Sequence, residues 1–245
     1  MATATLNTLA IVCGAGPGTG AALATAFARG SAVALLARNQ DSLDVVTAEV
    51  KKAGGDAAAF SCDVSSEESV DAAFAAIKER FPTHELKAAI FNANSPFVMK
   101  PFLELDKTAI SPSVDVNVYG AFHFSQKVVP LLLKSGGGFL GFSGATASMK
   151  GSAKFAGFAP GKFALRALSQ SLAREFGPQG IHVSHVVLDG IIDTQRTRGM
   201  FGGGEPEDGT RMDPAAIAGT FVHLAEQPKN CWTHELDLRP AAEKW

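Results

Sequence analysis

The chain has 245 residues, 46% of them hydrophobic and 19% charged, with a formal net charge of -2. This suits one large α/β domain or two small ones, with a sizeable core, and, lacking any basic cluster, argues against a nucleic-acid partner. Three widely spaced cysteines, Cys13, Cys62 and Cys231, form neither a disulfide framework nor a zinc pattern and fit a reducing cytosol.

The opening stretch to Ala28 carries no charged side chain. Gly14, Gly16, Pro17, Gly18 and Gly20 and the absence of a basic start argue against a membrane span or a secretory signal there. Apolar β-rich runs then alternate with helical patterns. Strands are expected at Leu9–Cys13, Ala32–Ala37, Ala57–Cys62, Leu86–Phe91, Gly138–Ser143 and Ile181–Leu188, with a short last strand near Leu238. Helical periodicity follows Gly20 and runs through Ser42–Gly54 and Ser65–Phe81, where Ser65 and Glu68 form a capping box. It returns over 110–134, around Phe158 and Lys162, and after Asp213, with Pro214 at the first helical position.

Continuous apolar strands alternating with helices predict a doubly wound α/β fold of the Rossmann type. Its sheet is mostly parallel with seven strands, and one domain spans 1–245. Residues 195–212 are Gly-rich and mixed in charge, and read as a mobile substrate flap.

The run CGAGPGTG, Cys13 to Gly20, lies between the first strand and the first helix. Its glycines allow close backbone approach, and the helix start offers free N–H groups to a pyrophosphate. The expected cofactor contacts there are Gly14, Gly16, Pro17, Gly18, Thr19 and Gly20. After the second strand stand Arg38 and Asn39, with no carboxylate to hold the ribose hydroxyls of NAD. Arg38 suits a 2′-phosphate, so NADP is preferred over NAD. Asp63, beside Val64, is placed either to accept from an adenine amino group or to cap the next turn.

These residues together resemble the short-chain dehydrogenase/reductase family over nearly the whole chain. The family's glycine signature matches with Cys13 in place of its threonine. Its Asp-Val pair falls on Asp63-Val64, and its Asn-Ala-Gly motif on Asn92-Ala93-Asn94. Its helix asparagine falls on Asn117, its lysine on Lys162, and its Pro-Gly-x-x-x-Thr stretch on Asp189 to Thr194. The resemblance adds Asn92, Ala93, Lys162, Gly190, Ile192 and Thr194 to the expected cofactor contacts. It makes Asn117 and Lys162 the expected catalytic residues, and it implies a homodimer or homotetramer.

Two positions depart from the family. Its tyrosine falls on Phe158 and its serine on Ala145; Ser143 and Thr146 are near but out of register. General acid–base catalysis contributes about 10²- to 10⁴-fold, or roughly 3 to 5 kcal/mol, against about 7 to 11 kcal/mol from positioning. A slow enzyme acting on an apolar carbonyl or alcohol substrate is therefore expected, with a non-catalytic NADP(H) sensor as the alternative. Expected pocket residues are Phe97, Met149, Phe155, Phe158, Met200 and Phe201, with Arg196, Arg198 and Arg211 on the flap. The histidines show no metal spacing, and no metal site is expected.

Overall fold

In the computed structural model, which describes residues 7–201 and 209–243, each apolar run becomes a parallel strand. The strands are β1 (Thr8–Cys13), β2 (Ala32–Ala37), β3 (Ala57–Ser61), β4 (Glu85–Phe91), β5 (Gly138–Ser143), β6 (Ile181–Leu188) and β7 (Glu235–Leu238). Their order is β3-β2-β1-β4-β5-β6-β7, so the chain reverses direction across the sheet between β1 and β4. All pairings are parallel. The expected α/β class, seven-stranded sheet and flanking helices are all present. At such a switch point two neighbouring crossovers leave on opposite faces, and a crevice opens above the C-terminal strand ends.

Helices cover both faces of the sheet. They are α1 (Thr19–Phe27), α2 (Gln40–Lys52), α3 (Glu67–Arg80), α4 (Ser111–Val114), α5 (Ala121–Lys134), α6 (Ala159–Phe176), α7 (Gln195–Phe201) and α8 (Pro214–Ala225). One apolar layer gathers Leu23, Val46 and Phe221 from α1, α2 and α8. The other gathers Phe74, Phe124 and Leu165 from α3, α5 and α6.

Three local features differ from the sequence reading. The cap of α3 is Ser66 rather than Ser65, because the Ser65 backbone N–H and hydroxyl both donate to Asp63 Oδ1, at 3.0 and 2.7 Å. The expected helix over 110–134 is interrupted by a π-helical turn, Asp115–Gly120. In the expected flap, Gln195–Phe201 is helical. The Phe201 side chain and residues 202–208 lie outside the described residues. Among the described residues no helix is long and apolar enough to cross a membrane.

Candidate active site

The glycine loop is shaped by close backbone approach at two points. Gly14 has φ +86°, and a Cβ there would stand 2.5 Å from the Ala93 nitrogen. Gly18 has φ +97°, and its Cβ would stand 2.7 Å from the Thr194 methyl. Thr194 therefore buttresses the loop, and its hydroxyl also caps α7 by accepting from the Thr197 N–H at 3.2 Å. Gly16 differs from both: a Cβ there would meet nothing within 4 Å. Helix α1 begins without a side-chain cap, so its first N–H groups carry the partial positive charge of a helix start.

A cleft of about 370 Å³ opens beside this loop. Gly14 and Gly16, Arg38 and Asn39, Asp63 and Val64, and Asn92 to Asn94 line it, with Arg196 reaching in from α7. The cleft thus gathers half of the expected cofactor contacts, while Pro17, Gly18, Thr19, Gly20, Lys162, Gly190, Ile192 and Thr194 do not line it. A larger groove of about 880 Å³ runs between α1 and α8, lined largely by alanine and glycine residues. Neither cavity is lined by Asn117 or Lys162.

Some of the expected contacts already hold protein partners. Asn39 caps α2, its side-chain oxygen accepting from the Ser42 N–H at 2.7 Å. Asp63 takes up the capping alternative through Ser65 while still facing the cleft. Burial pushes its carboxyl up, but the Ser65 hydrogen bonds and the Arg38 charge outweigh this and leave it below its usual range. Ile192 bridges Met212, and Gly190 packs against Pro240.

A chain of hydrogen bonds links the loop to the expected lysine. Asn92 Nδ2 donates to Gly14 O at 3.0 Å, and Ser143 Oγ donates to Asn92 Oδ1 at 2.9 Å. Lys162 Nζ then donates to Ser143 O at 3.0 Å. The Lys162 side chain is buried, 2% exposed, and not directed into solvent. Burial disfavours its charged form and pushes the ammonium down to about 8.

Asn117 sits on the inward side of the π-helical turn, fully buried. Its Nδ2 donates to Ser113 O at 3.1 Å and approaches Ser95 Oγ at 3.4 Å, while its Oδ1 has no partner. Ser113, one turn earlier on the same face, was readable in the sequence as a neighbour of Asn117 but was not singled out. Its hydroxyl donates to the Phe158 carbonyl at 2.8 Å and so pins the start of α6.

Phe158 stands immediately before the first turn of α6, 5% exposed. It packs with Ala145, Ala147, Phe155 and Ala159. Phe97 meets the Phe155 and Phe158 rings edge-on, at centroid distances of 5.3 and 5.4 Å. Met149 and Met200 are exposed. Of the flap arginines, Arg198 pairs with Asp193 at 2.6 Å and Arg211 approaches the same carboxylate at 3.7 Å. The only tyrosine of the chain, Tyr119, is 56% exposed. It lies two residues from Asn117, on the outer side of its turn.

Beneath this wall lies a polar group that the sequence reading passed over. Arg166, one turn after Lys162, holds Glu235 with two bonds of 2.7 Å, and His185 Nδ1 lies 3.0 Å from the same carboxylate. Burial pushes His185 down to about 4, against the opposing pull of Glu235. A neutral imidazole beside a carboxylate carries its proton on Nδ1. His182, on the other face of β6, instead stacks on Trp232.

The chain is similar to known proteins in sequence and fold. Residues 8–201 match the short chain dehydrogenase family. A short-chain dehydrogenase from Rhodopseudomonas palustris is 35% identical with a TM-score of 0.81, covering 96% of this chain and 99% of its own. An alcohol dehydrogenase from Thermococcus sibiricus, solved with 5-hydroxy-NADP, is 27% identical with a TM-score of 0.84, covering 97% and 98%. A 3beta-hydroxysteroid dehydrogenase of Mediterraneibacter gnavus is 31% identical over 172 residues, 70% of this chain and 61% of its own. The chain belongs to the short chain dehydrogenase family of oxidoreductases.

Proposed function

We propose that this chain is an NADP-dependent oxidoreductase that moves hydride between the nicotinamide and a small apolar carbonyl or alcohol substrate. The observation that carries the reading is the hydrogen-bonded path Gly14–Asn92–Ser143–Lys162. In this reading it would couple the pyrophosphate site to the nicotinamide ribose site.

The residues fit a dinucleotide. Gly16 leaves open space where a side chain would stand, α1 starts uncapped, and Asn117 Oδ1 is buried without a partner. When bound, the nicotinamide supplies the hydride. Glycine-loop and α1 N–H groups would hold the pyrophosphate. Arg38 and Arg196 at the β2 end of the cleft would pair with a 2′-phosphate. Lys162 would hold the nicotinamide ribose, and Asn117 would order a water through Oδ1. Thr194, Gly190 and Ile192 would flank the nicotinamide. Exposed Tyr119, Phe122 and Phe163 on the α5–α6 side support a homodimer or homotetramer, and the free thiols support a cytosolic placement.

The sensor alternative is favoured by one observation, the apolar wall of Phe158 and Ala145 where the family's acid would stand. Titration with NADPH and NADH by tryptophan fluorescence tests the cofactor half. Tighter binding of NADPH is expected; failure of both to bind would refute the reading. NADPH binding without turnover on any carbonyl compound would leave the sensor.

A further inference from the structure

We infer that the substrate is an apolar α,β-unsaturated carbonyl compound, reduced at its carbon–carbon double bond and not at its carbonyl group. This deepens the reading above and rests on it. The observation behind it is where the hydroxyl protons around Phe158 and Asn117 go. Ser143 Oγ donates to Asn92 at 2.9 Å, and Thr146 Oγ1 donates to Asp189 Oδ1 at 2.5 Å. Asp189 is itself held by Arg239 at 2.8 Å. Ser113 Oγ donates to the Phe158 carbonyl at 2.8 Å. Ser148, fully buried, receives the Ala145 N–H at 3.1 Å, and Ser95 is buried against Asn117. Tyr119 is on the outer face. Ser143, Thr146 and Ser113 thus give their protons to acceptors within the protein, and Ser95 and Ser148 are buried.

Hydride delivered to a saturated ketone leaves a localised alkoxide unless a proton arrives with it, and an apolar wall penalises that charge. A conjugated acceptor avoids the demand. Its β-carbon takes the hydride from NADPH, the π pair moves onto the carbonyl as a delocalised enolate, and the α-carbon later takes a proton from water. The double bond gains two electrons and two hydrogens, and NADPH becomes NADP⁺. The Lys162 ammonium contributes positive charge to this step without having to give up a proton. The edge-on cluster of Phe97, Phe155 and Phe158 matches a flat, conjugated ligand.

Benzylideneacetone and benzylacetone share one skeleton and differ only in the double bond, so they form the test. With NADPH deuterated at the transferred position, benzylideneacetone should give benzylacetone labelled at the β-carbon. It should react at least about 100-fold faster than benzylacetone itself, which would otherwise need the acid. As a binding readout, benzylideneacetone should raise the melting temperature of the NADP⁺ complex, and Phe97→Ala should lose that rise. An allylic alcohol as the main product, or equal rates for the two ketones, overturns the inference. NADPH binding with neither turnover nor a thermal shift by benzylideneacetone overturns it while leaving the cofactor reading intact. Absence of NADPH binding overturns both.

Discussion

The two ends of the candidate site, the glycine-loop cleft and the Phe158 cluster, are built from opposite materials. At the glycine-loop end, backbone N–H groups, Arg38, Asp63 and Asn92 face one opening. At the Phe158 end, aromatic and alanine side chains form the wall, and the neighbouring hydroxyls bond inward. The first end presents N–H groups and an arginine, the donors an anionic ligand needs. The second is apolar, and Ser113, Ser143 and Thr146 beside it donate to protein acceptors. Apolar residues at 145 and 158 therefore stand beside an intact hydrogen-bonded path from Asn92 through Ser143 to Lys162.

Variants can break this contrast. Gly14→Ala should be the most damaging, because the left-handed backbone and the contact with Ala93 together cost about 3 kcal/mol or more. Urea melts would register it. Gly16→Ala is its counterpart: stability should stay within about 0.5 kcal/mol, while NADPH affinity falls at least about tenfold, since its methyl group has only the cleft to enter.

Lys162→Met should stabilise the protein at pH 7 by about 1 to 3 kcal/mol while abolishing cofactor binding. Folding lowers this ammonium from 10.5 to about 8, so the unfolded chain binds the proton more tightly. Stability of the wild type should accordingly rise between pH 8 and 10.5, and this rise should vanish in Lys162→Met. The same sign holds lower on the scale for His185, moved from 6.5 to about 4. It should add a rise of up to about 3 kcal/mol in stability from pH 4 to 6.5. His185→Asn should flatten that part of the profile. The smallest effect is at the far end of the cleft: Arg38→Ala should weaken NADPH about 10- to 100-fold and leave NADH unchanged, as loss of a charge-assisted bond implies.

Much of the first end was legible in the sequence. A glycine run between a strand and a helix, then Arg38 after the next strand, announces its position by local pattern alone. The second end was only partly legible. The spacing of Phe158 and Lys162 placed both near one turn of α6, and Phe158 proved to be the residue just before it. The fate of the hydroxyls could not be read, because Thr146 and Asp189 are 43 residues apart and Ser143 and Asn92 are 51 apart. The Arg166–Glu235 pair spans 69. Such partners are set by strand order, not by neighbouring sequence. The π-helical turn that carries Asn117 also leaves no local signature, and the glycines of the flap region hid the helix Gln195–Phe201.

The most direct test introduces together the two hydroxyls that the family resemblance assigns to positions 145 and 158. Ala145→Ser with Phe158→Tyr should bind NADPH as the wild type does and reduce a saturated ketone about 10²- to 10⁴-fold faster. A double variant that folds, binds NADPH and gains no ketone reduction would contradict the placement of residues 145 and 158 beside the reacting carbon.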